Sequence, residues 1–313
     1  MKISTKLYLI VFMCAFIILV QYHFYNPWIL YTISNKDIRP EIIVRKLHMP
    51  CSNYNLAASD GSDVPPLYII TPTYKRPEQI AELTRLSHTL MLVPPNLTWL
   101  VIEDAYETND LVEEVLKKSM LKYYYLIAPM PAQYKNKTKG PKPRGVSNRN
   151  KGIEWIRENA KTGVFYFADD DNTYDLELFN DIRYTKRVSM FPVGLITKAG
   201  VSSPIVKHGI FTGFYDGWIG GRKFAVDMAG FAVSVEFLQK RPKAKMPFKP
   251  GFEEDGFLKS LSPFEPKDVE LLANNCTKIL VWHTQTKKNG ASLPLDMVKH
   301  NNTNLVMLKK LLV

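Results

Sequence analysis

Three cysteines in 313 residues are too few for the disulfide lattice that holds small secreted scaffolds together. Their odd count leaves at least one that cannot pair within the chain. Behind the first apolar run there is neither a G-x-G-x-x-G nor a G-x-x-x-x-G-K-S/T loop. That argues against nicotinamide-dinucleotide enzymes and P-loop nucleoside triphosphatases. No internal repeat has a solenoid or propeller period. Charged residues make up 23% and apolar residues 46%, which excludes a largely disordered chain, a collagen and a coiled coil. The length allows two domains of ~150 residues, although single α/β domains of ~250 are common. Acidic residues are the scarcer sign: 30 against 41 basic ones, for a net charge of +11. Such a balance suits an anionic partner, whether nucleic acid, membrane surface, nucleotide or anionic glycan. Composition does not choose among them.

The N-terminal residues narrow the choice. Lys2 and Lys6 precede an uncharged run at 7–25, 19 residues long, and ~20 suffice to span a bilayer. Tyr22, Phe24 and Tyr25 close it with aromatics of the membrane-interface kind. A cleaved signal peptide would need a shorter core and a small-x-small site, and Tyr22, His23 and Phe24 do not form one. The pattern predicts a cytoplasmic tail at 1–6, a signal anchor at 7–25 and a single-pass type II protein whose bulk is lumenal. Asn-x-Ser/Thr sequons at Asn96, Asn136, Asn275 and Asn301 agree with lumenal exposure. This topology removes nucleic acid from the candidate partners. Residues 26–65 carry little periodicity and run into Asp60-Gly-Ser-Asp-Val-Pro-Pro66, a stem by composition. Cys51 lies in it, either as an interchain bridge or as an unpaired thiol.

From Pro66 the pattern alternates. Leu67-Tyr-Ile-Ile70, Trp99-Leu-Val-Ile102, residues 123–128 and Val164-Phe-Tyr-Phe-Ala168 read as strands. Between them, Ile80, Leu83, Leu86 and Leu90 recur at helical spacing. So do Leu111, Val112, Val115 and Leu116, and then Val146, Asn150, Ile153 and Ile156. Alternation of this kind means right-handed β-α-β units and a mostly parallel sheet, whose ligands bind beyond the carboxyl ends of the strands. Those ends carry Thr71-Pro-Thr-Tyr74, Glu103-Asp104 and Asp169-Asp170-Asp171, so the three should meet at one rim.

Three adjacent carboxylates at the end of a buried strand repel one another unless a cation or hydrogen bonds offset the charge. Hard oxygen ligands suit Mg²⁺ or Mn²⁺, and such an ion typically completes its shell with substrate phosphates. The alternative is a solvated acidic turn with Asp171 or Asn172 as N-cap of a helix starting near Leu176. The strand-end position favours the metal.

Tyr166-Phe-Ala-Asp-Asp-Asp-Asn-Thr-Tyr174 resembles the metal-binding signature of the β-1,3-glucuronosyltransferases of animal Golgi membranes. Further blocks share the resemblance: Ile70-Thr-Pro-Thr-Tyr74, Ala81-Glu-Leu-Thr-Arg-Leu-Ser87, Pro143-Arg-Gly-Val146 with Asn148-Arg-Asn-Lys151, Val226-Asp-Met-Ala-Gly-Phe-Ala232, and the run from Asn274 through Trp282-His283-Thr284. Together they cover about 67–286. The resemblance implies a glycosyltransferase A-type fold, a mostly parallel Rossmann-like sheet flanked by helices, behind one anchor and a stem. A catalytic domain at 66–313 would then divide into a UDP-sugar half, 66–175, and an acceptor half, 176–313. The implied reaction moves glucuronic acid, with inversion, from UDP-glucuronate to the 3-hydroxyl of a terminal galactose, for example in the proteoglycan linker.

The same resemblance assigns roles. Pro72, Tyr74 and Asp104 match positions around uracil and ribose, with Tyr74 stacking on the base. Arg144 and Arg149 match nucleotide-sugar contacts, where a guanidinium fork suits phosphate and carboxylate. Asp169 and Asp170 match donor contacts, Asp171 the direct Mn²⁺ (or Mg²⁺) ligand, and His283 a diphosphate contact. Arg222 and Asp227 match acceptor-side positions. Glu254, in Gly251-Phe-Glu-Glu-Asp255, matches the base that an inverting transfer requires, with Glu253 and Asp255 one residue away on either side. Two positions depart from the family pattern: Gln285 stands where a diphosphate-contacting Arg is common, and Ser202 where an acceptor-contacting Glu is common. They leave two alternatives to an active glucuronosyltransferase: a degenerate member that binds UDP-sugar or a partner transferase, and a transferase using another UDP-sugar. The resemblance also implies a homodimer and residence in the Golgi membrane.

Overall fold

The computed structural model describes residues 64–313 apart from 197, 285, 287, 291, 312 and 313, together with Met13 and Phe16. The expected anchor, save those two residues, lies outside the described residues, as do the stem up to residue 63 with Cys51, and Gln285. Among the described residues no helix is long and apolar enough to cross a membrane.

Four parallel strands form the centre. β1 (Leu67–Thr73) pairs in parallel with β2 (Leu97–Glu103), in register from Leu67↔Leu97 to Thr73↔Glu103. β3 (Lys122–Ile127) extends the sheet beside β2, and β4 (Val164–Phe167) flanks β1 on its other side. Both faces of this sheet are covered, which is why its strands read as continuous apolar runs. Side chains alternate across it. Leu67, Ile69, Trp99 and Val101 join one core with Leu83, Leu86 and Leu90 of α1 (Gln79–Leu90) and Val112 and Leu116 of α2 (Asp110–Lys118). Ile70, Leu100 and Ile102 join the other. After the short α3 (Ala132–Lys135), that core is closed by Val146, Ile153 and Ile156 of α4 (Val146–Asn159). Gly152 lets α4 seat on β1, because a Cβ there would meet Ile70 Cγ2 at 2.7 Å.

Beyond β4 the sheet is mixed. β10 (Phe231–Ser234) runs antiparallel to β4, β6 (Val188–Met190) antiparallel to β10, and β11 (Glu270–Leu271) parallel to β6. The seven-stranded order is β11-β6-β10-β4-β1-β2-β3, so one sheet draws strands from both sides of residue 175. A second sheet, β5-β12-β7-β8-β9, joins β5 (Thr173–Tyr174) to β12 (Val281–Trp282) and then to β7 (Val193–Ile196), β8 (Gly200–Lys207) and β9 (Ile210–Tyr215).

β5 removes the capped-turn alternative for the acidic triplet. Neither Asp171 nor Asn172 caps the following helix, α5 (Leu176–Ile182). Asp175 does, accepting from Glu177 N at 2.8 Å. The backbone after the acidic triplet first extends to pair with β12, and so cannot enter a helix there. Ahead of β12, residues 273–276 all hold φ between 52° and 60°, a left-handed turn of four non-glycine residues. Thr277 N and Lys278 N donate to Ala273 O, both at 3.1 Å, and Thr277 Oγ1 to Asn274 O at 2.7 Å. Such a conformation costs roughly 1–2 kcal/mol per residue. Two further helices bear on the site, α6 (Val235–Gln239) behind β10 and α7 (Glu253–Ser260).

Candidate active site

The three polar strand ends do meet. At the end of β1, Thr73 Oγ1 donates to Asp170 Oδ2 at 2.7 Å, and Gln79 Nε2 donates both to Thr73 Oγ1, at 3.2 Å, and to Glu103 Oε1, at 2.9 Å. Tyr125 of β3 donates its hydroxyl to Glu103. The second oxygen of Asp170 accepts from Arg76 Nη2 at 2.7 Å, and the same nitrogen bridges to Glu82 of α1. The Arg76 guanidinium also lies 4.6 Å from the centroid of the Tyr74 ring. Tyr74 stands exposed at the mouth of the rim, Pro72 is half-buried, and Asp104 Oδ1 accepts from Met130 N at 2.8 Å. Burial pushes the Asp170 carboxyl up to about 6, against the pull of Arg76 and Thr73.

The donor-side arginines divide. Arg149, in the first turn of α4, is buried and pairs with Asp169 at 2.5 Å. Its approach needs Gly145, at φ 72°, where a Cβ would sit 2.3 Å from Arg149 Nη1. Arg144 is exposed and forms no ion pair among the described residues; its carbonyl lies 3.5 Å from Arg149 Nη1.

Asp171 differs from its neighbours. Its carbonyl accepts from Thr284 Oγ1 at 2.8 Å, but its carboxylate makes no hydrogen bond or ion pair among the described residues. Burial, then the charges of Asp169 and Glu82, push that carboxyl up, while His283 and Arg76 pull it down. His283 is carried in by β12, its amide bonded to Gly194 O at 2.9 Å, and its Nδ1 lies 3.7 Å from Asp227 Oδ2. Asp227 accepts from Ala229 N at 2.9 Å and donates its own amide to the buried Ser202 Oγ at 3.2 Å. Burial raises the Asp227 carboxyl, and Asp169 and Asp216 raise it further.

The three acids opening α7 separate by environment. Asp255 is buried and fully used, accepting from Lys223 N (2.8 Å), Phe224 N (2.9 Å) and Lys259 Nζ (2.6 Å). Glu253 is raised by burial but is opposed by the backbone amides of its own turn and by Arg149. Glu254 is pushed up to about 7, first by burial and then by Asp227 and Glu253, with its own amide and Arg149 opposing. Arg222 is tied instead to Asp216, at 2.8 Å, and to the Trp218 carbonyl, with its guanidinium 4.8 Å from the Trp218 ring.

The donor set fits a divalent ion in one way. No three His, Cys, Asp or Glu side chains converge as a ligand cage among the described residues. The free, electrostatically strained carboxylate of Asp171 would be the protein's own ligand, and a hard ion would take its remaining oxygens from a bound diphosphate. A concavity of about 560 Å³ along α1 between Arg85, His88 and Tyr174 shares no residue with this rim. All four sequon asparagines are exposed, and Asn96 Nδ2 donates to Val64 O at 2.7 Å. Glu103 joins the rim as its strand-end position predicted, whereas Arg76, Gln79 and Glu82 belong to it but were not expected in it. Arg76 lies two residues after a motif residue, Tyr74; its role depends on Asp170, 94 residues later, which no local pattern reveals.

Comparison with known proteins places the chain. It is 62% identical over 249 residues to "Galactosylgalactosylxylosylprotein 3-beta-glucuronosyltransferase P" of Drosophila melanogaster, covering 80% of this chain and 52% of that protein. Another Drosophila melanogaster relative, the S protein of the same name, is 50% identical over 242 residues, covering 77% of this chain and 57% of that one. The human protein numbered 2 is 45% identical over 248 residues, covering 75% of each chain. The chain thus spans little more than half the length of the two Drosophila relatives. A model of glycosyltransferase family 43 matches residues 86–287, a stretch that includes Asp104, the acidic triplet, Asp227, Glu254 and His283, and the chain belongs to that family.

Proposed function

We propose that the chain is an active inverting glycosyltransferase of A-type fold that moves glucuronic acid from UDP-glucuronate to the 3-hydroxyl of a terminal galactose. The observation that carries this reading is Glu254, in the first turn of α7, whose carboxyl burial pushes up to about 7 against the pull of Arg149. A general base works best when its proton affinity is matched to the operating pH. Family membership and the names of the relatives support the sugar and the linkage.

In this reading, Tyr74 stacks on uracil, steadied by the Arg76 guanidinium beneath it, and Asp104 and Pro72 frame the nucleoside. Arg149, already holding Asp169, offers its remaining donors to the sugar carboxylate or diphosphate. Asp171 would hold Mn²⁺ (or Mg²⁺), which would supply charge stabilisation for the departing diphosphate. His283 contacts the diphosphate from the same side, its Nδ1 3.7 Å from Asp227 Oδ2. Asp227 and Arg222 line the acceptor side. Glu254 takes the 3-hydroxyl proton as that oxygen attacks the anomeric carbon, so the new bond forms on the face opposite the leaving UDP. The anchor, a Golgi lumenal location and a homodimer complete the proposal, supported by the N-terminal hydropathy, the sequons and the family resemblance.

UDP release by the full-length chain tests it, with Mn²⁺ and a panel of UDP-sugars, each with and without a β-galactoside. Acceptor-dependent release from UDP-glucuronate alone, lost in Glu254→Gln and Asp171→Ala, is the expected result. Release only from a different donor, or none from any donor in folded protein that binds UDP, overturns it.

A further inference from the structure

The net charge is not spread over the molecule. Residues 115–153 contain ten Lys or Arg and no Asp or Glu; residues 237–252 contain five and none. These two segments therefore hold fifteen of the 41 basic residues and none of the 30 acidic ones, and the rest of the chain is net acidic. The fold brings them together. Tyr134 stacks flat on Phe248 with ring centroids 4.8 Å apart, and Asn150 exchanges two hydrogen bonds with Met246, at 2.9 and 2.8 Å. Lys142 Nζ ties the end of the 135–142 loop back to Lys135 O at 2.5 Å. Lys135, Lys137, Lys139, Arg144, Lys243, Lys245 and Lys249 are all exposed. None of them forms an ion pair among the described residues.

We propose that these segments form one binding surface for an anionic polysaccharide, a sulfated or carboxylated glycan chain. The cations are strung along two extended exposed segments instead of converging on a pocket, which suits a linear polyanion better than a single phosphate. Aromatic faces are interleaved: Lys135 lies over the exposed Tyr106 ring at 4.9 Å, and Lys249 over Phe252 at 3.9 Å. A surface that adsorbs to lipid needs apolar side chains to insert, and where the unpaired cations cluster, at 131–149 and 237–252, no large apolar side chain is exposed. The surface abuts the site from both sides: Arg144 leads into α4 and Arg149, and Lys249 into the turn that carries Glu254. An acceptor bearing an anionic glycan, or the elongated product itself, would lie along it. The choice of a glycan over other polyanions rests on the transferase reading given above.

The test is direct binding of the full-length chain to chondroitin sulfate and hyaluronan, with polyglutamate and anionic phospholipid vesicles as controls. Asn136 lies within the surface, so the Asn136→Gln chain is used throughout to keep an attached glycan off the lysines. The comparison is with Lys137→Gln, Lys139→Gln, Lys243→Gln and Lys245→Gln combined, four side chains without partners. Polysaccharide binding should weaken about tenfold or more at moderate salt, with a shallower dependence on salt concentration. Acceptor-dependent UDP release with a small uncharged β-galactoside should be unchanged. Equal binding by variant and parent overturns the proposal, as does equally tight binding of polyglutamate or vesicles by the parent. A raised KM for the UDP-sugar without loss of polysaccharide binding assigns the lysines to donor capture and overturns it as well. Absence of any UDP release, with polysaccharide binding and its loss as expected, would refute the transferase reading while leaving the surface intact.

Discussion

Replacing Glu254 by Gln should do two opposite things. Folding raises the carboxyl from its usual 4.5 to about 7, so the folded chain holds this proton more tightly than the unfolded one. The associated stability is fully present below about pH 4.5 and is lost as pH rises through 7. The difference of about 2.5 pH units corresponds to about 3 kcal/mol at most, mainly the cost of a buried charge beside Asp227. Gln is isosteric and neutral at every pH. At pH 8 the variant should therefore melt higher, by about 5–10 °C for a domain of this size, whereas at pH 5 the two should nearly coincide. Catalysis should move the other way, with kcat down about 10²–10⁴-fold, the usual contribution of a general base. In the parent enzyme, kcat should rise about tenfold per pH unit below 7 and level off above it. Scanning calorimetry at pH 5, 6, 7 and 8 beside a UDP-release assay reads both effects. A melting difference independent of pH, or a kcat within tenfold of the parent, would refute the assignment of the buried charge and of the base.

Three other outcomes follow from the geometry. Arg76→Met leaves Asp170 and Glu82 buried without their shared cation, side chains 7% and 3% exposed, and should cost about 3–5 kcal/mol; the urea midpoint measures it. Asp171→Asn should weaken Mn²⁺ binding in the presence of UDP at least about tenfold, read by titration calorimetry. It should leave metal-free stability equal or slightly higher at neutral pH, because burial already disfavours that charge. Gly152→Ala drives a methyl into Ile70 Cγ2 at 2.7 Å and should destabilise by about 1–3 kcal/mol. Ile70→Val should recover part of that loss, and additive losses in the double variant would contradict the contact.

Much of the architecture was legible because its signals are local. The β1, β2 and β4 runs are apolar on both faces and the α1, α2 and α4 faces recur at helical spacing, so each could be read within about a dozen residues. β10 could not. Phe231-Ala-Val-Ser234 looks like any short buried run, and only its place between β4 and β6 makes it the antiparallel member of a mostly parallel sheet. The cap of α5 lay beyond local patterns for the same reason: pairing of Thr173 and Tyr174 with Trp282 and Val281 is a contact across more than a hundred residues.

The site divides along the same line. Asp171 and Glu254 could be named from the sequence, because a strand-end acidic triplet and a family motif mark them. Which carboxylates remain available is a tertiary matter. Asp170 is consumed by Thr73 and Arg76, and Asp169 by Arg149. Asp255 is taken by two backbone amides and Lys259. Chain order sets residue types and their spacing, and hence strands, helices and motif membership. Proton affinity and the occupancy of each lone pair depend on burial and on partners brought close only by folding, so the structure alone separates Asp171 and Glu254 from the acids beside them.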